Sequence, residues 1–525
     1  MDPAATTVVN GPDAIPDAPE SELRRPLRER LTWDHGAMVL VVLGAILRFA
    51  DLGRQSMWYD ELFTMLVTTK SLPGLMRIAI EDTTPPFYYI LQHFLIRAFG
   101  ISEVTMRFLP ALAGVITIWV VYLLGKRLFS PKVGFWAAGL MTVGALPLRY
   151  SQEARAYSFM MLFAALSLLA LASLAEKPGV FRAALFGLSL AALAYSHVYG
   201  AFGCLAIVLA MLALPSLRRG VGWWGAGAAG LAALSYVPWA LIVLTQIRTV
   251  GGWVQGGTWG LRAPASLGDE FARTLANLTP WPTQPAVLPA LAFTGLLVAG
   301  LLGTASAPQI ARHAKKPSAD GSIPERDALW LLGAAAVVPV MTGLLLTRYV
   351  VPIHDLRNCL VALPAVYVLV AVGATRLKGQ AGTILIAALV AYAVFGLGSY
   401  YTSTSKGHWR EAVTYLLDRG AQHELVIASS DYVPLDVNMY SVVLGHPKQF
   451  PLATVGRDLD GKNLDKALGK ALKGRTSVYV VTAFVHRTGV DWTTFDDGMK
   501  RAGWKVAETR NFDFLPLVRH WMRQR

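Results

Sequence analysis

Cysteine is nearly absent. Cys204 and Cys359 are the only two in 525 residues, and both lie inside apolar runs. Neither a disulfide framework nor a cysteine metal cluster can be built from them. Charge is scarce as well: 16% of residues are charged and 54% are hydrophobic, whereas a soluble domain carries about a quarter charged residues. That balance excludes an ordinary soluble protein and points to a polytopic membrane protein. Internal repeats, low-complexity tracts and a cleavable leader pattern are missing too. Acids are outnumbered, 34 against 48 lysines and arginines, for a net charge of +14. In so apolar a chain this excess reads as the basic bias of cytoplasmic loops beside anionic lipid, not as a nucleic-acid surface.

What is present is a series of apolar segments with basic turns. Residues 1–35 are polar, rich in Pro, Asp and Ala, and end in Arg24, Arg25, Arg28 and Arg30; they read as a disordered cytoplasmic tail. The first span is expected over 36–52, with Arg48 and Asp51 near its outer end reaching the interface. Short amphipathic helices are expected at 57–70 and 72–80. The apolar run 87–99 is too short to cross and is placed at the interface. Further spans are expected at 105–125, 133–149, 156–175, 180–196, 200–215, 222–245, 286–303, 328–347, 357–375 and 381–398, about eleven in all. This assignment puts the turns with Lys126/Arg127, Arg218/Arg219, Lys315/Lys316 and Arg376/Lys378 inside, as the positive-inside rule requires. The membrane domain is therefore 36–398. From 399 to 525 the pattern alternates: helix at Trp409–Arg419, strand at Leu425–Ala428, helix at Leu464–Lys473, strand at Ser477–Thr482, helix at Trp492–Ala502, then extended chain. That is a small extracytoplasmic α/β domain. It holds no glycine-rich phosphate fingerprint and no G-x-S-x-G elbow, so no chemistry is assigned to it.

The same parity collects distant polar residues on the outer face: Asp60, Glu61, Asp82, Arg149, Gln152, Glu153, Arg155, His197, Arg348, His354, Asp355 and Arg357. Acids at a membrane surface are costly and point to function. Each also has a plain structural explanation, as headgroup anchor, helix cap or mutual ion pair. Together, however, carboxylates suited to proton transfer lie beside arginines whose planar fork matches phosphate oxygens. Half in the membrane, that set suits a lipid phosphate as leaving group.

The chain resembles a known family through Trp58-Tyr59-Asp60-Glu61, Asp82-Thr83-Thr84-Pro85-Pro86-Phe87-Tyr88-Tyr89, Arg107-Phe108-Leu109-Pro110, Tyr122 through Phe129, and Arg149-Tyr150-Ser151-Gln152-Glu153-Ala154-Arg155-Ala156-Tyr157. These look like the bacterial branch of the dolichyl-phosphate-mannose protein mannosyltransferases and the aminoarabinose transferases, integral-membrane GT-C glycosyltransferases that use polyprenyl-phosphate sugars. The resemblance is densest over 36–200 and continues weakly at Thr347-Arg348-Tyr349 and at Lys406 through Ala412. It implies that Asp60 is the catalytic aspartate of the first outer loop, with Glu61 its neighbour, and that Gln152–Arg155 faces the site. One position departs: aminoarabinose transferases carry a lysine before the Pro-Pro, where this chain has Thr84.

The expectation is a transfer of one sugar from a polyprenyl phosphate to an acceptor hydroxyl of a glycan, lipid or protein, inverting, on the extracytoplasmic face of a cell membrane. Asp60 and Glu61 are the catalytic candidates. Asp82, Thr84, Gln152, Glu153, Arg155, His197, Arg348 and Arg357 are the substrate-binding ones. No cofactor is expected; Asp60, Glu61 and Asp82 could offer oxygens to a divalent metal ion, the minor alternative, but carry no spacing signature for one. The alternative is a transporter or flippase of a lipid-linked sugar, but such proteins tend to show repeated halves and acids at mid-membrane breaks. Here the acids cluster at span ends.

Overall fold

The computed structural model describes residues 27–82, 84–255, 266–278, 287–302, 323–404, 406–428, 432–446, 450–454, 461–483, 492–512 and 516–524. Helix α1 (Leu27–Phe49) starts within the basic tail, well before residue 36. Three short helices follow, α2 (Tyr59–Thr69), α3 (Leu72–Asp82) and α4 (Phe87–Phe99). At 13 residues α4 is about 20 Å long, short of the roughly 30 Å of a bilayer core.

Helix α5 (Glu103–Leu128) begins where Ser102 accepts from the Thr105 amide at 3.1 Å, with Glu103 in its first turn and Lys126 and Arg127 in its last. Both ends complement the helix dipole. The expected span 133–149 is instead two helices, α6 (Pro131–Val143) and α7 (Ala145–Ser151), broken at Gly144. A Cβ there would lie 2.6 Å from the Leu140 carbonyl oxygen. Then come α8 (Tyr157–Glu176), α9 (Val180–Ser196), α10 (Val198–Ala213), α11 (Pro215–Gln255, kinked at Gly222 with φ 51°), α12 (Leu267–Asn277), α13 (Val287–Leu302), α14 (Glu325–Tyr349), a 3₁₀ turn (Leu356–Ala362), α15 (Leu363–Arg376) and α16 (Ala381–Thr402).

Among the described residues six helices are long and apolar enough to cross a membrane: Glu103–Leu128, Tyr157–Glu176, Pro215–Gln246, Glu325–Tyr349, Leu356–Arg376 and Ala381–Thr402. Val180–Ser196, Val198–Ala213 and Leu288–Leu302 are apolar but shorter. The protein is thus a multi-pass membrane protein. The segment Leu356–Arg376 is almost wholly buried and forms the centre of the bundle, whereas Pro215–Gln246 is mostly exposed and turns Leu231, Leu234, Leu241 and Leu244 outward. Arg48 does not reach for the interface. It is fully buried, donating to the Met141 and Thr142 carbonyls at 2.7 and 3.2 Å, and so satisfies the open end of α6.

Beyond α16 lie α17 (Trp409–Asp418), β1 (Leu425–Ala428), α18 (Val433–Val443), β2 (Leu452–Thr454), α19 (Gly461–Ala471), β3 (Ser477–Thr482), α20 (Trp492–Arg501), β4 (Trp504–Asn511) and β5 (Leu517–Arg523). They build one sheet in the order β2-β1-β3-β5-β4, parallel across β2-β1-β3 and antiparallel across β3-β5-β4. Alternation along β1 sends Leu425 and Ile427 into one core and Val426 and Ala428 into another. The second core also holds Met57, Leu62 and Met65 of the α2 region, Ile96 and Met106. The α/β domain is therefore packed onto α2 through shared apolar residues.

Candidate active site

Successive helix residues point about 100° apart, and at the start of α2 this separates Asp60 from Glu61. The Glu61 side chain turns inward and is fully buried. It accepts from Arg107 Nε at 2.7 Å and Nη2 at 2.8 Å, from Lys406 Nζ at 2.8 Å and from the Ala154 amide at 2.9 Å. Burial alone would raise its carboxyl, but Arg107 and Lys406 outweigh it and hold the group down at about 2. Lys406 is itself pushed down to about 8, because burial and the neighbouring Arg107 together exceed the pull of a glutamate shared between two cations. Arg107 donates further to the carbonyls of Leu52, Gln55 and Ser56 at 2.9, 2.8 and 3.1 Å. Glu61 thus ties together α5, the chain before α2, the 152–156 turn and the entrance to the α/β domain.

Asp60 faces the other way, 7% exposed, and accepts from Arg357 Nη1 at 2.7 Å. Arg357 is held in turn by Asp355 at 3.3 Å and lies 6.0 Å from the centre of the Trp58 ring. Asp82, the last residue of α3, accepts from the Tyr89 hydroxyl at 3.4 Å, and Thr84 bonds to both. Tyr89 also accepts from Arg155 Nη1 at 3.3 Å. Burial raises the Asp82 carboxyl against the pull of Arg155. Arg155 is close enough to Asp60 and Asp82 to feel both charges. His197 caps α10, its Nδ1 accepting from the Tyr199 amide at 3.2 Å, which leaves Nε2 as the N–H. Burial, with Arg155 and Arg357 nearby, drops it to about 3, so it is neutral at physiological pH.

Several buried polar atoms in this neighbourhood have no hydrogen-bond partner among the described residues: Trp58 Nε1, Glu153 Oε1 and both carboxyl oxygens of Asp436. Buried polar groups are ordinarily satisfied, so these atoms have room for further hydrogen-bond partners. Burial also raises the Glu153 carboxyl.

The outer-face residues inferred from sequence do not all converge. Asp60, Asp82, Thr84, Glu153, Arg155, His197 and Arg357 are brought together. Gln152 is spent on structure: its Nε2 donates to the carbonyls of Leu47, Arg48 and Ala50 at 3.1, 3.2 and 3.0 Å, closing the end of α1, and Tyr400 donates to its Oε1 at 2.8 Å. Arg348, expected as a phosphate contact, is exposed at the end of α14 against Tyr349, 5.7 Å from the ring centre. It lies off the cluster because the 3₁₀ turn, not the end of α14, delivers the arginine to Asp60. Sequence reasoning gave no role to Arg107 and Lys406, although both lie in quoted segments, and it missed Asp436 entirely.

Among the described residues no group of three or more His, Cys, Asp or Glu is arranged to hold a metal ion. Residues 83–242 match the family model described as dolichyl-phosphate-mannose-protein mannosyltransferase. Over that stretch the chain is similar to a family of membrane glycosyltransferases. The matched stretch includes Thr84, Gln152–Arg155 and His197 but stops short of Asp60 and Arg357. The Archaeoglobus fulgidus oligosaccharyltransferase, solved with Zn and sulfate, superposes on this chain with a TM-score of 0.54 at 14% identity, covering 85% of this chain and 67% of that one. ArnT from Cupriavidus metallidurans, bound to undecaprenyl phosphate, does so with a TM-score of 0.54 at 12% identity over 92% and 97%. AglB from Archaeoglobus fulgidus, with an inhibitory peptide and a dolichol phosphate, gives 0.50 at 11% identity over 91% and 73%. At these identities the likeness is one of fold. No curated protein matches the sequence.

Proposed function

We propose that this glycosyltransferase moves one sugar from a polyprenyl phosphate to an acceptor hydroxyl, with inversion at the anomeric carbon and Asp60 as general base. The observation that carries the reading is the Asp60–Arg357 pair at 2.7 Å with Arg155 close by. Asp60 takes the proton of the acceptor hydroxyl as its oxygen attacks the anomeric carbon. The bond from that carbon to the phosphate oxygen breaks on the opposite face, and the electron pair leaves with the phosphate. Arg155 and Arg357 stabilise that charge in a partly dry site, where fixed cations act strongly. Arg155 meets a neutral phenol in Tyr89, so its charge is available to an anion.

Glu61 is a positioning residue in this scheme. Its oxygens are committed to Arg107, Lys406 and Ala154, so Asp60 and Glu61 do not offer a joint two-carboxylate metal site. The reaction is therefore proposed to run without a metal. The site and the α/β domain are assigned to the extracytoplasmic face by the distribution of basic turns. The lipids bound in the ArnT and AglB structures, undecaprenyl phosphate and dolichol phosphate, support a polyprenyl carrier.

The test is release of free polyprenyl phosphate by the full chain in nanodiscs, given a panel of undecaprenyl-phosphate hexoses and pentoses with cell-envelope glycans as acceptors. Release with at least one donor is expected. Passage of an intact lipid-linked sugar across the bilayer, with no cleavage of any donor, overturns the reading in favour of transport.

A further inference from the structure

The α/β domain, to which the sequence assigns no chemistry, delivers a carboxyl to the site. Tyr432, the residue that precedes α18, and Asp436 and Tyr440 within it are spaced four residues apart, so they form one stripe. The two outer members grip the chain around Asp60. The Tyr432 ring meets Tyr59 edge-on, centroids 4.8 Å apart at 87°, and the Tyr440 hydroxyl accepts from the Met57 amide. Asp436 lies between these grips and so faces the 57–60 segment. It is fully buried, and both of its oxygens lack a hydrogen-bond partner among the described residues. Burial, and after it the charge of Asp60, raises its carboxyl well above the usual range.

Of the other buried acids at this end of the molecule, Glu153 shares the lack of a partner at one oxygen among the described residues, and the rest have donors. Glu61 has Arg107 and Lys406, Asp60 has Arg357, Asp82 has Tyr89, and Glu103 has Arg410 at 2.8 Å. A wholly buried carboxyl with no donor is destabilising and survives where a ligand supplies the donors. Two adjacent oxygens match two adjacent hydroxyls, and the flanking Trp58 and Tyr59 rings offer flat apolar surface to a sugar ring. A cation is a poorer match, because Arg357 already neutralises Asp60 next door.

We propose that Asp436, inserted by the α/β domain between its Tyr432 and Tyr440 grips, binds a pair of vicinal sugar hydroxyls beside Asp60 and so selects the sugar. The proposal rests on the glycosyl-transfer reading. Those hydroxyls belong either to the sugar being transferred or to a glycan acceptor.

The experiment measures binding by ligand-induced thermal shift on the full chain in nanodiscs, so that it does not depend on turnover. One arm compares undecaprenyl phosphate with undecaprenyl-phosphate hexoses and pentoses; the other uses octyl hexosides and pentosides. Wild type is expected to prefer at least one sugar-bearing probe, and Asp436→Ala to weaken that binding about ten- to hundredfold. Loss in the first arm places the hydroxyls on the donor, and loss in the second places them on the acceptor. Asp436→Asn without ligand is expected to melt no lower than wild type, since no structural partner is lost. Sugar preferences unchanged in Asp436→Ala, no preference in wild type, or a clear drop in the melting of Asp436→Asn would each overturn the proposal. A sugar preference without release of polyprenyl phosphate from any donor would instead leave it standing and overturn the transfer reading.

Discussion

Asp60 and Glu61 are neighbours with opposite fates, and the difference follows from a turn of about 100° at the first residues of a helix. In the sequence they form one acidic pair at a membrane surface. In the fold Glu61 is a buried junction and Asp60 faces the site. Nothing in the local sequence could separate them, because the partners of Glu61 lie 46 and 345 positions away. Glu61→Gln leaves Arg107 and Lys406 short of a counter-charge, and is expected to destabilise the protein by about 3–5 kcal/mol. Thermal melts at pH 7 check this. The Glu61 carboxyl is held at about 2, below its ordinary 4.5. Its contribution is therefore complete above pH 4.5 and is lost as pH falls toward 2, on the order of 3 kcal/mol in all. The gap in melting temperature between wild type and Glu61→Gln should narrow as pH drops from 5 to 3; a constant gap would contradict the assignment. Arg357 spans Asp60 and Asp355 with its fork, which a lysine point charge cannot reproduce. Arg357→Lys should retain more turnover than Arg357→Met but fall at least about tenfold below wild type.

Among the elements, long apolar helices were legible and interruptions were not. The run 133–149 reads as one span because its hydropathy is continuous, yet the chain breaks at Gly144, where the turn leaves no room for a Cβ. The strands Leu425–Ala428 and Ser477–Thr482 were plain from their β-branched runs. The helix α18 and the three-residue β2 were missed: Val433–Val443 carries Pro434 in its first turn and little amphipathic pattern, and β2 is too short to show alternation. Helices α5 and α6 are set close by Gly125 and Gly134. A Cβ at Gly134 would lie 2.3 Å from the Tyr122 carbonyl oxygen, and backbone cannot yield there cheaply. Gly134→Ala should cost about 1–3 kcal/mol by forcing the helices apart. Gly230→Ala in α11, with nothing within 4 Å of the added methyl, should be neutral or slightly stabilising. Melting curves of the two variants separate packing from propensity.

For the whole molecule, the residues that parity gathers from distant sequence do in part lie together: Arg155 and Arg357 are beside Asp60, and His197 is beside both arginines. It could not show that the α/β domain packs against the segment around Asp60, since that depends on side chains meeting across hundreds of residues. Lys406 reaches Glu61, and Arg410 reaches Glu103 and the Gly53 carbonyl at 2.8 and 2.7 Å. A chain ending at residue 398 keeps Asp60, Arg155 and Arg357 but loses Lys406 and the apolar cover over α2. It should insert in the membrane and release little or no polyprenyl phosphate. The most direct test of the central claim is the single-turnover rate of Asp60→Asn on a donor that wild type uses, with melting temperature measured alongside. A general base predicts a loss of about 10²–10⁴-fold with the fold and lipid-phosphate binding intact. A folded Asp60→Asn protein that transfers at the wild-type rate would contradict it.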